Sequence, residues 1–148
     1  MKSLTSVKQS EIKEKWYLID AEGARIGRVA TVAAELLLGK SNPLTKKYHK
    51  PMVKVVIVNA KKHDVNAKKG MTKFYKNYSG FPGGLKFTSL EDMMKVHPER
   101  PIENAVKGML PKTKQGNELL TNLRVYADDQ HPHEAQTLEK VDIRNYKI

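Results

Sequence analysis

The chain has 148 residues, no cysteine, and 27 lysine and arginine residues against 16 aspartate and glutamate residues. This length fits one domain, residues 1–148, that buries roughly 68–70% of its unfolded surface. The lack of cysteine excludes a disulfide framework, a thiolate zinc site and a cysteine nucleophile. Residues 1–15 contain no apolar export signal, so we expect a cytoplasmic protein with a short N-terminal extension at 1–15.

The first predicted elements are a strand, a turn and a helix. Residues 16–19 are aromatic or β-branched, and residues 20–23 have turn chemistry. Apolar side chains recur within residues 29–37 at helical spacing, and Gly39 is a suitable helix end. The apolar run at 55–58 then predicts a strand buried on both faces. A right-handed crossover between the two strands makes them parallel.

The middle of the chain is predicted to be less regular. We expect a short strand at 72–75 and a glycine-rich turn at 79–86. Thr88 or Ser89, followed by Glu91 and Asp92, resembles the capped start of a short helix. Pro101 suits the first turn of a second helix, which Pro111 ends.

The last predicted elements are one or two helical turns at 117–122 and a final strand at 123–127. The tail at 128–148 is predicted to be polar and irregular. The predicted fold class is therefore α/β: a three-layer domain with a small, mostly parallel sheet of about four strands flanked by helices.

The positive charge is concentrated in one quarter of the chain. Residues 40–77 contain eleven lysines and a single acid, Asp64. Such focusing indicates a polyanionic partner, and the interleaved rings of Tyr48, Phe74, Tyr75 and Tyr78 offer stacking surfaces to nucleic-acid bases. The lysines lie in predicted loops and strand ends, and the sequence has no motif that enters a DNA major groove, so we expect an irregular folded RNA.

The sequence gives weaker support to two other classes of function. A small basic nucleotide-binding α/β enzyme is the alternative, but Gly23 and Gly27 have neither dinucleotide-binding nor P-loop spacing. A protein of membrane surfaces would need a helix with lysines opposite large apolar residues, which the sequence lacks. The scattered acids give no catalytic pattern, so we expect no enzyme, no cofactor and no small-molecule substrate.

The histidines at 131 and 133 could also suggest a metal site. Two histidines at this spacing, with no nearby cysteine or paired acidic ligand, favour a surface or RNA-contacting role over a metal site.

Four stretches together resemble the bacterial-type large-subunit ribosomal protein L13 family. They are "WYLIDAEGARIGRVAT" with "LLLGK", "YSGFPGGLK", "PERPIENAVKGMLPK" and "LRVYADDQHPHEAQ", and the segment "AVKGMLPK" at 105–112 is the most specific. The resemblance implies an α/β fold and a non-enzymatic role in binding and assembling large-subunit rRNA, beside neighbouring large-subunit proteins. At Lys54, Asn77, Tyr78 and Asp128 the chain departs from residues common in that family.

The expected RNA-binding residues come from two sources. Carried over from the resemblance are Arg28, Lys40, Lys107, Lys112, Lys114, His131 and His133. The lysine-rich middle adds Lys46, Lys47, Lys50, Lys61, Lys62, Lys68, Lys69, Lys73 and Lys76, which we interpret as groups that neutralise phosphates.

Overall fold

A computed structural model describes residues 14–42, 50–65, 70, 72–144 and 146. Within these ranges the main elements, in chain order, are β1 (Lys15–Asp20), α1 (Ile26–Leu37), β2 (Val53–Val58), β3 (Phe74–Tyr78), β4 (Leu85–Ser89), α2 (Leu90–Val96), α3 (Arg100–Met109), α4 (Lys114–Thr121), β5 (Leu123–Val125) and β6 (Leu138–Val141). Four strands form one parallel sheet in the order β5-β2-β1-β6, and β3 and β4 form a separate antiparallel hairpin. The predicted fold class is confirmed.

The β1-α1-β2 unit follows the predicted pattern closely. The apolar stripe of α1 is buried along its length, and Gly39, just past the helix end, adopts φ +71°. That left-handed conformation carries little steric cost for glycine. Residues 55–58 of β2 are all buried, as the unbroken apolar run predicted. The central strand thus lies between two covered faces, as expected for a parallel sheet.

The two faces of the sheet are covered differently. Tyr17 and Ile19 of β1 and Val55 and Ile57 of β2 belong to the main core cluster, together with the apolar faces of α1 and α3. Alternate residues point to the opposite face, where the register pairs Trp16 with Lys54 and Leu18 with Val56. The segment after β5 reaches this second face, because the His133 ring lies 5.2 Å from the Trp16 ring.

The hairpin differs from the prediction in the bounds of its first strand and in having a second strand. The predicted strand at 72–75 is instead β3, at 74–78, and β4 occupies residues that the sequence pattern assigns in part to the turn. Gly80 and Gly83 adopt positive φ values of 90° and 73° at the tip, which lets the chain reverse within a few residues. Sequence reasoning missed β4 because its apolar–polar alternation covers only four residues, between a glycine-rich turn and the start of a helix.

The helices begin where the capping residues predicted. Ser89 precedes α2, and its Oγ accepts a hydrogen bond from the Asp92 backbone N–H at 3.0 Å. Pro101 lies in the first turn of α3, and the helix ends at Met109, before Pro111. The predicted helical turns at 117–122 are part of α4, which begins after Thr113.

The C-terminal tail is a correction to the sequence analysis. Residues 123–125 do form β5, but it is not the last strand, because β6 lies within the segment predicted to be irregular. β6 pairs in parallel with β1 and forms an edge of the sheet. Its four residues, with two charged side chains between Leu138 and Val141, are too few to show a strand period.

Candidate nucleic-acid interface

Four lysines between residues 40 and 62 lie at the two opposite ends of the parallel strands: Lys40, Lys50, Lys61 and Lys62. Lys50 precedes β2, whereas Lys61 and Lys62 follow it in a short 3-10 turn. A six-residue strand separates these positions by about 20 Å. Lys40 follows α1. It lies toward the amino-terminal ends of the strands, because a crossover helix runs antiparallel to the strands that it connects.

Carboxylates from distant parts of the chain meet these lysines. The Nζ of Lys50 lies 3.0 Å from Glu118, the Nζ of Lys61 lies 3.0 Å from Asp128, and the Nζ of Lys62 lies 3.6 Å from Glu22. The hydrogen bond and charge of Lys50 lower the pKa of Glu118. The local charge at each strand end is therefore smaller than the lysine-rich sequence implies.

These ion pairs are exposed and easily exchanged. More than half of each of these lysine side chains is accessible to solvent, at 57%, 55% and 60% for Lys50, Lys61 and Lys62. Exposed pairs of this kind contribute only about 0–1 kcal/mol and weaken further in salt. A multivalent anion can compete with a single carboxylate for such a lysine at little cost to the fold.

The remaining predicted lysines and arginine within the described ranges are exposed and lie on other elements. Lys107 of α3 and Lys112 line one groove, together with Gly108 and Asn117. Lys114 is the first residue of α4, and Arg28 on α1 faces a groove shared with Tyr146. Lys73 lies at the base of the hairpin, and Lys76 lies within β3. The structure thus brings Lys107 and Lys112 together and spreads the other predicted cations that it describes over several surfaces.

Four residues predicted to contact RNA, Lys46, Lys47, Lys68 and Lys69, lie outside the described residues.

The two histidines form part of a cluster on the second face of the sheet. The Nε2 of His133 lies 2.9 Å from the Tyr126 hydroxyl, and the His133 ring stacks near that of His131 at 6.4 Å. The Nζ of Lys54 lies 4.6 Å from the centroid of the Trp16 ring, a cation–π arrangement. Desolvation lowers the pKa of His133, and the positive charges of His131, Arg124 and Lys54 add to that effect.

Sequence reasoning found the histidines of this cluster but missed its other members. The sequence pattern identifies Trp16 only as a strand residue and Lys54 only as a departure from the family pattern. The alternation along β2 places Lys54 and Val56 on one face, but only the register with β1 and β5 shows that Trp16 and Arg124 share it. No sequence signal gives that register, because strand pairing is a tertiary property.

The crevice at the carboxyl ends of β1 and β6 bears on the nucleotide-binding alternative. Ligands of open α/β sheets usually bind beyond the carboxyl ends of the strands. Here Asp20, Glu22 and Asp142 line the crevice, and Asp20 already accepts hydrogen bonds at 3.0 Å from the Asn59 side chain and from the Glu22 backbone. Lys140 and Arg144 also line the crevice, so its charge is mixed, and its three carboxylates make it a poor match for the phosphates of a nucleotide.

Over the part of the chain that the structure describes, no three histidine or acidic side chains come together as a metal site. No helix in those ranges is long and apolar enough to cross a membrane.

Comparison with known proteins gives a family match over most of the chain. Residues 14–132 match the family model described as ribosomal protein L13. The chain is also similar to the large ribosomal subunit protein uL13 of Thermus thermophilus, with 49% identity over 90% of this chain and 95% of that protein. The uL13 proteins of Petrotoga mobilis and Spiroplasma citri are 43% and 41% identical, over 95% and 98% of this chain and 93% and 99% of their own lengths.

These relatives are named as proteins of the large ribosomal subunit. The family therefore confirms the prediction that the chain is not an enzyme, and it gives the nucleotide-binding alternative no support. On the family match and on identities above 40% across nearly the whole length of each partner, this chain belongs to the ribosomal protein L13 family.

Proposed function

We propose that this protein is a structural component of the large ribosomal subunit that binds large-subunit rRNA, next to neighbouring ribosomal proteins. The observation that carries the proposal is the family match over residues 14–132, with relatives named for the large subunit. Exposed lysines at both ends of the parallel strands support the proposal. Their positions suit a partner that contacts the protein on several sides rather than one that binds a single cleft.

The mechanism is phosphate neutralisation by exchange of weak ion pairs. When a phosphate approaches Lys61 or Lys62, it competes with Asp128 or Glu22 and releases the counterions condensed on the RNA. Because each exposed ion pair contributes little, the exchange costs the protein little stability. Cations on several sides of one rigid domain can neutralise RNA segments that converge on it, which would favour early assembly of the subunit.

The association itself is tested by sedimentation. A native lysate is separated on a sucrose gradient, and each fraction is probed for this chain before and after a high-salt wash. We expect the chain to remain with the large subunit through the wash. A chain that runs free at the top of the gradient in both conditions would overturn the proposal.

The role of the strand-end lysines is tested by a double substitution, Lys61→Gln with Lys62→Gln. If both lysines neutralise phosphates, the slope of log affinity for large-subunit rRNA against log salt should become shallower by roughly 0.7–0.9 for each phosphate that the variant leaves unneutralised. Filter binding over a range of salt concentrations measures the slope.

Lys95→Gln is the matched control for this pair. The Lys95 side chain is also more than half exposed, at 67%, and also forms an ion pair, with Glu91 at 2.9 Å, but it lies on α2 and is not a predicted RNA-binding residue. We expect the control to leave the slope near the wild-type value. Equal slopes for wild type, double variant and control would contradict the binding of phosphate by Lys61 and Lys62.

A further inference from the structure

One face of the β3-β4 hairpin carries a row of exposed aromatic rings. The register pairs Lys76 with Phe87 and Tyr78 with Leu85, so Phe74, Lys76 and Tyr78 share a face with Leu85 and Phe87. We call this set, with Phe81 at the turn, the aromatic face of the hairpin. Tyr75 and Thr88 point to the opposite face.

The rings of the aromatic face are open to solvent. The exposed fractions are 55% for Phe74, 62% for Tyr78, 57% for Phe87 and 74% for Phe81. The hairpin pairs with no strand of the parallel sheet in the described residues. A group of apolar rings on a surface of this kind usually marks an interaction site.

The charged side chains of the hairpin itself are all positive. Residues 72–89 contain three lysines and no aspartate or glutamate. The Nζ of Lys76 lies 5.7 Å from the centre of the Phe87 ring, which places a cation over the aromatic face itself. Lys73 lies in the same way 5.1 Å from the Tyr75 ring, at the hairpin base. The partner of this face should therefore combine flat apolar surfaces with negative charge.

We propose that the aromatic face is a stacking platform for unpaired RNA nucleotides. Base rings would stack on Tyr78 and Phe87, and the phosphate between them would lie near Lys76, which shares their face. Bases inside an RNA duplex are already stacked and cannot reach such a surface, so the platform binds loops, bulges or single strands. This inference rests on the proposed function, in which RNA is the partner. It adds that the hairpin binds unpaired rather than duplex RNA.

A neighbouring protein is the competing occupant, and the observations favour RNA. An apolar protein surface docked here would bury Lys76 against it, and the hairpin offers no carboxylate of its own to pair that charge. Nucleotides satisfy the ring and the lysine at once, because each carries a π face and a phosphate.

The test compares two RNA probes of equal length with the full chain. One is an unstructured single strand, and the other is the same strand annealed to its complement. The double variant Tyr78→Leu with Phe87→Leu keeps apolar bulk and removes both rings. We expect its affinity for the single strand to fall about tenfold or more, since stacking on one ring alone typically contributes several-fold to tenfold or beyond.

Salt dependence separates this proposal from phosphate binding. The rings carry no charge, so the salt slope of the double variant should equal that of wild type, whereas Lys76→Gln should reduce it. Affinity for the duplex should not change in the double variant. Tyr78→Phe, which keeps the ring, is the matched control and should bind both probes as wild type does.

Photocrosslinking gives a second, independent measurement. Ultraviolet irradiation of the wild-type complex with the single strand, followed by peptide mapping, should place nucleotide adducts on residues 74–87. Adducts found only elsewhere would overturn the platform. So would a double variant that binds the single strand as tightly as wild type, or one that retains RNA binding and loses a neighbouring ribosomal protein. If wild type binds neither probe, the proposed function itself fails.

Discussion

The central strand β2 and the hairpin strand β4 show opposite uses of apolar side chains in one chain. Residues 55–58 of β2 are buried by neighbouring strands, by α1 and by the segment after β5, whereas Leu85 and Phe87 of β4 remain about half exposed. Both strands are fully paired along their length with at least one neighbour. Strand pairing alone therefore does not determine burial; what packs over the face does.

The rings on the two surfaces differ in the same way. Trp16 on the second face of the sheet is already engaged, by Lys54 on one side and by His133 on another. Phe87 on the hairpin is 57% exposed, with the Lys76 ammonium 5.7 Å from its ring centre. The sheet uses its aromatic ring to hold the chain together, and the hairpin leaves its rings available to a partner.

Stability should separate the two regions most strongly. Ile57→Ala removes a fully buried side chain from the core and should lower the free energy of unfolding by about 2–5 kcal/mol. Phe87→Ala removes a larger but exposed ring and should cost less than about 1 kcal/mol, most of it from cross-strand pairing. Urea unfolding followed by circular dichroism measures both. Similar losses would mean that the hairpin face is packed in solution, and the comparison would fail.

A smaller effect tests the same contrast within the helices. Gly116 is buried, and a Cβ added there would collide with the Pro111 carbonyl, so Gly116→Ala should destabilise the fold by about 1–3 kcal/mol. Gly108 on α3 has open space around the corresponding position, so Gly108→Ala should be neutral or stabilise by up to about 1 kcal/mol. Thermal unfolding of the two variants measures the difference. A destabilised Gly108→Ala would contradict the open surface at α3.

The weakest of these effects concerns pH at the second face of the sheet. Burial and nearby positive charges lower the pKa of His133 below its usual 6.5, so the folded protein binds this proton less readily than the unfolded chain does. The resulting contribution to stability is fully present above pH 6.5 and is lost as pH falls below that value toward the folded-state pKa. The fluorescence of Trp16, the only tryptophan, should change over that range because the His133 ring lies 5.2 Å away.

His133→Gln is the control for this titration. The variant should lose the change in Trp16 fluorescence and flatten the acid side of the stability profile. A midpoint at or above 6.5 in wild type would contradict the lowered pKa.

Local pattern was enough to predict the first half of the parallel sheet and the helix starts. The run at 55–58, the stripe of α1, the Ser89 cap and Pro101 each carry a signal within a few residues. β6 and β4 were missed because strands of four or five residues are too short for their alternation to be told from a tail or a turn. Their pairing with β1 and β3 decides that they are strands.

For the candidate interface, too, some features follow from the sequence and others only from the fold. Residue order alone establishes that the chain is basic, that its charge is focused in residues 40–77, and that aromatic residues lie among those lysines. The folded chain was needed to show that Glu118, Asp128 and Glu22 come to meet lysines far away in sequence, and that the rings of Trp16 and His133 pack together. Composition fixes the total charge, but the fold fixes which charges are neighbours, and electrostatic and stacking interactions depend on distance.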